Sequence, residues 1–161
     1  MRPSPEILRM AKDIEQELDA ILSRHQARVA EARHEAAGKS AAEESFGQAA
    51  AACVAHVIMP ALQGMAQALN QRGVAARVPA DGSDARIDIP VSRHARLGQG
   101  HGGYPYLRAK ADRHTQRIHF ERNTADSRGA NRVGDYTISE VDAELVKALV
   151  MDLVRELYAP F

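Results

Sequence analysis

The residues of this chain best suited to chemistry lie between positions 94 and 119. His94, His101, His114 and His119 fall there, beside a run of glycines at Gly98-Gln99-Gly100-His101-Gly102-Gly103. Glycines let backbone amides approach a phosphate. A phosphate loop, however, needs Gly-Lys-Ser/Thr and a helix start after it. Here Tyr104-Pro105-Tyr106 and a strand pattern follow. The run therefore reads as a sheet connection. If it binds a small molecule, His101 and Tyr104 are the side chains that reach it, with Arg108 or Arg117 for an anion and His101 or His119 as a base. Strand parity puts His119 on the outer face of its strand, opposite Ile118 and Phe120. His114 falls in a turn.

A zinc site needs three or four converging ligands. The His94-x6-His101 and His114-x4-His119 spacings supply too few, and the single cysteine lies elsewhere, so no metal and no cofactor is expected. No Gly-x-Ser-x-Gly and no recognisable Cys-His spacing is present. The chain thus offers ligand-binding candidates (His101, Tyr104, Arg108, Arg117, His119) without a catalytic signature, and catalytic residues are not assigned.

Charge sharpens the same region. The chain carries 21 basic and 21 acidic residues, so no global field attracts nucleic acid or an anionic membrane. The balance hides a gradient. Residues 1–72 hold 8 basic and 9 acidic groups, 73–135 hold 11 and 7, and 136–161 hold 2 and 5. Arg86, Arg93, Arg96, Arg108, Lys110, Arg113, Arg117, Arg122, Arg128 and Arg132 fall in the positive segment, and arginine suits phosphate forks. A nucleic-acid reading would use them on a sheet face. Stacking residues are few (Tyr104, Tyr106, Phe120), and acidic neighbours point instead to a solvated face crossed by ion pairs.

The elements that position these residues follow from periodicity. Phe46, Ala49, Ala50, Cys53, Val54, Val57, Ile58, Ala61, Leu62, Met65, Ala66 and Leu69 draw one wide apolar helical stripe. The expected cover is the preceding helix, whose stripe is Ile7, Ala11, Ile14, Leu18, Ile21 and Leu22. That first helix starts at Ser4-Pro5-Glu6, with Ser4 as cap and Glu6 at the positive end of the dipole. Gly38-Lys39 reads as its end. Ser40-Ala-Ala-Glu43 reads as a capping box opening a second helix that runs to about Arg72 and stops at Gly73. Pro60 predicts a kink near 56–60, or else a split with Pro60 opening the later helix. The His56 ring is placed to bond a carbonyl that Pro60 leaves free.

Beyond Gly73 the period becomes two. Val74, Ala76 and Val78 alternate, as do Ile87, Ile89 and Val91, around an Asp81-Gly82 hairpin signal. Arg86, Asp88 and Pro90 are expected to face out. Strands follow near 104–111 and 116–122, turning at 112–115. Residues 123–131 read as a loop and 132–137 as a short strand. Thr137-Ile-Ser-Glu140 reads as a capping box for a last helix whose stripe holds Val141, Leu145, Leu149, Leu153 and Leu157.

The expected fold is α+β in one domain, 1–161: a helical hairpin over 1–72, an antiparallel four-stranded meander over 73–137, and a C-terminal helix over 138–161 packed on the sheet. Ile7, Ile14 and Ile21 keep the seven-residue step of a coiled-coil seam. A homodimer through the N-terminal helices is expected, with a protein partner on the sheet face and loop 92–104. Cys53 reads as a small buried hydrophobe in a reducing compartment. With no signal-peptide pattern and no run of about 18 apolar residues, a cytoplasmic protein without a membrane span is expected.

Overall fold

The computed structural model describes residues 2–79, 84–91, 104–124 and 130–159. The chain divides into two units, Met1–Ala42 and Glu43–Phe161.

The first unit is helix. Helix α1 runs Pro5–Cys53, 49 residues, and continues into the second unit. The amide of Ile7 donates to Ser4 Oγ at 3.4 Å, so the expected cap is made. The expected break at Gly38 is not: residues 38–43 are helical, and one joined helix replaces the hairpin. A glycine inside a helix costs about 1 kcal/mol. A break would strip helical partners from four amides and four carbonyls, a larger loss than a capping box recovers. The stripe Ile7, Ile14, Leu18, Ile21 and Leu22 is exposed along its length, at 51–59%.

In the second unit α1 passes into a single π turn, Val54–Ile58, and then α2, Met59–Asn70. The amide of Met59 donates to the carbonyl of Val54, a five-residue step, and Pro60 sits in the first turn of α2. Pro60 thus opens a helix, as the split arrangement expects, and its missing N–H falls where none is needed. His56 is exposed and its ring makes no hydrogen bond among the described residues, so the expected bond to a freed carbonyl is absent. Gly73 stops the helix at φ +85°, with the amide of Val74 donating to Leu69 O at 3.0 Å and that of Gly73 to Asn70 O at 3.1 Å.

The sheet is a meander in the order β1-β2-β3-β4, all pairs antiparallel: β1 Ala85–Asp88, β2 Tyr106–Asp112, β3 Arg117–Asn123 and β4 Asn131–Tyr136. The expected strand over 74–78 is reduced to one bridge, Arg77 with Asp88. Its backbone is drawn elsewhere: the amide of Ala76 turns back to Val74 O, and Asn70 Nδ2 donates to Ala76 O at 3.1 Å. The Asp81-Gly82 hairpin signal and the glycine run 98–103 lie outside the described residues. β4 is a full strand, bulged where the register slips between Phe120 and Glu121.

One face of the sheet is the core. Ile87, Leu107, Ile118 and Phe120 are buried together with Ile58 and Leu62 of the helical arm and Val146, Val150 and Leu153 of helix α3, Ala143–Leu157. The ladder of Phe46–Leu69 is covered from within its own unit, by α3 and the sheet. Each such aliphatic side chain contributes roughly 1.5–3 kcal/mol. Phe120 and Tyr136 meet edge to face, centroids 5.8 Å apart. Asp142 caps α3 by accepting from Leu145 N at 2.8 Å. Thr137, the expected cap, gives its hydroxyl to the Glu140 carboxylate at 2.9 Å, and Ile138–Glu140 form a short 3-10 turn before α3.

By length and composition alone, the continuous helical run Pro5–Asn70 contains one 18-residue window apolar enough to cross a membrane, a third of it buried in the fold. The window is not a run of about 18 apolar residues: alanines raise its mean hydropathy, while His56, Pro60 and Gln63 interrupt the apolar residues there. A soluble core helix satisfies the same test.

Candidate functional site

The sequence candidates converge on the outer face of the sheet. Alternation along β2 and β3 turns Leu107, Ala109, Ile118 and Phe120 to the core and sends Tyr106, Arg108, Lys110, Asp112, His119 and Glu121 outward. Register then decides which charges meet. Arg108 stands opposite Glu121, Lys110 opposite His119, and His119 opposite Asp135 of β4.

Three charge clusters result. At the β1 edge, Asp88 lies between Arg77 and Arg86, with Arg86 Nε 3.0 Å from Oδ1 and Arg77 Nε 3.4 Å from Oδ2. Asp88 lies on this outer face but is only 4% exposed, covered by its neighbours there. Two guanidiniums replace the water that this carboxylate loses. Tyr106 spreads its ring between Arg86 and Arg108, whose Cζ atoms lie 5.8 and 5.6 Å from its centroid.

In the middle, Arg108 donates to Glu121 Oε1 through Nε at 2.6 Å and through a second, closer contact from its Nη2, and Lys110 Nζ lies 3.6 Å from the same oxygen. Burial pushes the Glu121 carboxyl up, but the hydrogen bond and charge of Arg108, with Lys110, outweigh it and hold the group below its ordinary range.

At the far end, His119 is clamped through both ring nitrogens. Nδ1 lies 2.5 Å from Asp135 Oδ1, and Nε2 lies 3.1 Å from Asp112 Oδ2 and 3.3 Å from Thr115 Oγ1. The turn after β2 prepares this clamp. Asp112 Oδ1 accepts from the amides of His114 at 2.9 Å and Thr115 at 3.4 Å, leaving Oδ2 for the imidazole. The His119 hydrogen bond is the largest influence on Asp112. With those amides it overcomes burial and brings the Asp112 pKa to about 2. Arg132 Nε adds a contact to Asp135 Oδ1 at 3.2 Å.

This geometry limits the chemistry. His119 is half-buried and leaves no ring nitrogen over to take a proton from a substrate. An anion would have to displace Glu121 to reach Arg108. Of the other candidates, Tyr104 is exposed at the entrance to β2, under Arg77 at 5.9 Å. Arg117 is exposed at the start of β3, opposite Asp112 in register. His101 lies outside the described residues, as do His94, Arg93, Arg96 and Arg128. Arg108 and His119 share a face but belong to different clusters. Arg122 reaches the other way, to Glu156 of α3 at 2.5 Å, and Arg113 lies against Gly47 of α1. Among the described residues, no group of three His, Cys, Asp or Glu side chains is arranged to hold a metal ion.

Sequence reasoning missed Asp112, Thr115 and Asp135 as partners of His119. The Asp112-to-Thr115 turn was a visible signal for the first two. Asp135 needed the β3–β4 register. A second feature, missed entirely, is an open groove of 630 Å³ between α2 and residues 76–78, lined by Gln63, Gln67, Asn70, Gln71, Arg77 and Val78 above Ala66 and Ala76. No protein-family model matches this chain, and neither a curated protein nor a solved structure matches it.

Proposed function

We propose that this chain is an interaction module, homodimeric through the first turns of α1, which presents the outer sheet face of its second unit to a protein partner. One observation carries the reading. Ile7, Leu8, Met10, Ile14, Leu18, Ile21 and Leu22 are 51–63% exposed, a density of large apolar side chains that a lone helix in water does not tolerate. Ile7, Ile14 and Ile21 repeat every seven residues with Ala11 and Leu18 between them, a seam that a second helix can fill.

The area suffices. At about 100 Å² removed per side chain, seven residues supply roughly 700 Å² per copy and 1,400 Å² per pair, inside the range of specific interfaces. A membrane surface suits the stripe less well. Arg2, Arg9, Lys12, Arg24 and Arg28 are balanced by Glu6, Asp13, Glu15, Glu17 and Asp19, whereas helices that lie on anionic lipid are basic on their polar face. Nucleic acid is the weaker alternative for the sheet face, because Arg86, Arg108, Lys110 and Arg132 each already hold a carboxylate. Binding that weakens steeply with salt would favour it.

Light scattering on the full chain tests the dimer. The expected mass is twice 17.5 kDa, falling to 17.5 kDa in Ile14→Asp/Leu18→Asp with the melting of the second unit unchanged. A wild-type mass of 17.5 kDa at every loading concentration overturns the proposal.

A further inference from the structure

The groove beside α2 has a chemistry of its own. Gln63, Gln67 and Gln71 stand at four-residue steps along one side of the helix and its last turn, all three exposed. None of their carboxamides has a hydrogen-bond partner among the described residues. Asn70 spends its amide on the carbonyl of Ala76 and so holds residues 76–78 as the opposite wall. That wall is extended and lies at the sheet's edge. Arg77 pairs inward with Asp88 through its own N–H and C=O, at 3.0 and 2.8 Å. The backbone groups of Val78, one residue along, point the other way. The floor is Ala66 and Ala76, 6% and 4% exposed, small enough for a backbone to come close. The one charge on the lining, Arg77, meets Asp88 through Nε at 3.4 Å and lies over the ring of Tyr104, with 67% of its side chain exposed.

A groove of three carboxamides and a strand edge that have no partner among the described residues, with a single cation at one end, matches a ligand made of neutral paired donors and acceptors. The peptide bond is that ligand: one carboxamide can donate to its carbonyl and accept from its N–H. The spacing agrees. Residues four apart on a helix are separated by about 6 Å along its axis, and alternate residues of an extended chain by about 6.6–6.8 Å. We infer that Gln63, Gln67 and Gln71, facing the Arg77–Val78 edge, form a docking groove for an extended segment of another protein, reading its backbone rather than its side-chain charges. The groove lies wholly within residues 63–78 and stands independently of the helix-mediated dimer.

The test is an NMR titration of the isotope-labelled full chain with a capped, uncharged pentapeptide, acetyl-Thr-Val-Ser-Val-Thr-amide. The side-chain amide signals of Gln63, Gln67 and Gln71 and the backbone amide of Val78 are expected to move together and saturate. The same peptide N-methylated at alternate residues should bind at least about ten-fold more weakly, as should the wild-type peptide to Gln67→Leu. Gln67 is exposed, so an unchanged melting temperature of Gln67→Leu confirms that the fold is intact. Three results each overturn the proposal: no movement of these signals by about 1 mM peptide, equal binding of the N-methylated peptide, or unaltered binding to Gln67→Leu.

Discussion

The π turn at Val54–Ile58 separates two explanations, and replacing Pro60 distinguishes them. If Pro60 causes the turn, Pro60→Ala lets the helix close into a regular one. If the core demands it, the turn survives. The phases of the buried residues favour the core. In an unbroken α-helix each residue advances about 100°, so Phe46, Ala50 and Cys53 would centre roughly 130° away from Ile58, Ala61, Leu62 and Ala66. The wider coil of a π turn takes back roughly 90° of that, and one face then carries both sets. Annealing would swing Phe46, Ala50 and Cys53 out of their sites, at a loss of about 4 kcal/mol of apolar burial. Keeping the turn costs about one amide hydrogen bond, roughly 0.5–1.5 kcal/mol. The core wins.

Cys53 reports the outcome directly. It is the only cysteine, 7% exposed, and burial pushes its thiol up, so little thiolate is available to a disulfide reagent such as DTNB. Pro60→Ala is expected to leave Cys53 as slow to react as in the wild type, with stability changed by no more than about 1 kcal/mol. Deleting the exposed Ala55 removes the extra residue while Pro60 remains, forcing a proline into a regular helix at a cost of about 3 kcal/mol. Deletion of Ala55 combined with Pro60→Ala recovers most of that loss with Cys53 still protected. A Pro60→Ala protein whose thiol reacts at the rate of an exposed cysteine refutes the phase argument.

Further outcomes follow from single side chains. At Gly38 and Gly64 an added Cβ meets nothing within 4 Å, so Gly64→Ala should stabilise the fold by about 1 kcal/mol in urea unfolding, and Gly38→Ala should raise helix content in circular dichroism by removing a similar local cost. At Gly134 the same atom would stand 2.8 Å from the Tyr136 ring, which is held by Phe120. Gly134→Ala should therefore destabilise by about 1–3 kcal/mol, whereas Gly47→Ala, which meets only the flexible end of Arg113 at 2.9 Å, should be neutral or mildly stabilising. The Asp112 carboxyl is depressed to about 2 in the folded chain, so its contribution is complete above the ordinary aspartate value near 4 and is lost as pH falls through 2. Urea midpoints of Asp112→Asn should accordingly fall less steeply between pH 4 and pH 2 than those of the wild type; parallel slopes would remove the clamp from the account.

The parts of the fold that were legible in the sequence are those decided by neighbours along the chain. Ile87 and Ile89, like Ile118 and Phe120, alternate because a pleated strand with one buried face requires it, and Gly73 ends its helix because only glycine enters a positive φ without strain. Where two local signals of similar size conflict, the pattern alone does not choose. Gly38 costs what Ser40–Glu43 could return, and continuity of backbone hydrogen bonding decides. The π turn was not legible there: the ladder passes from Cys53 to Ile58 through Val54 and Val57 without a break in helical spacing, and the slip of one residue shows only in the phase of the residues that are buried, Cys53 and then Ile58.

The outer face shows the limit of composition most clearly. Residues 73–135 hold four more bases than acids, 11 against 7, and read as a basic patch. Whether they act as one depends on register, because an exposed field survives only where bases stand apart from acids by more than a few ångströms. The pairing of β2 with β3 sets Arg108 against Glu121. The bulge beside Phe120 then brings Asp135 opposite His119 and lets Arg132 reach Asp135. A shift of one residue in either pairing would turn these side chains to the other face and expose an uncompensated cluster. Among the described residues, the pairing of charges on this face is therefore a property of the β-bulge and the turn at Asp112, not of the residue counts: Arg86, Arg108, Lys110 and Arg132 each stand against a carboxylate rather than forming a field of free bases.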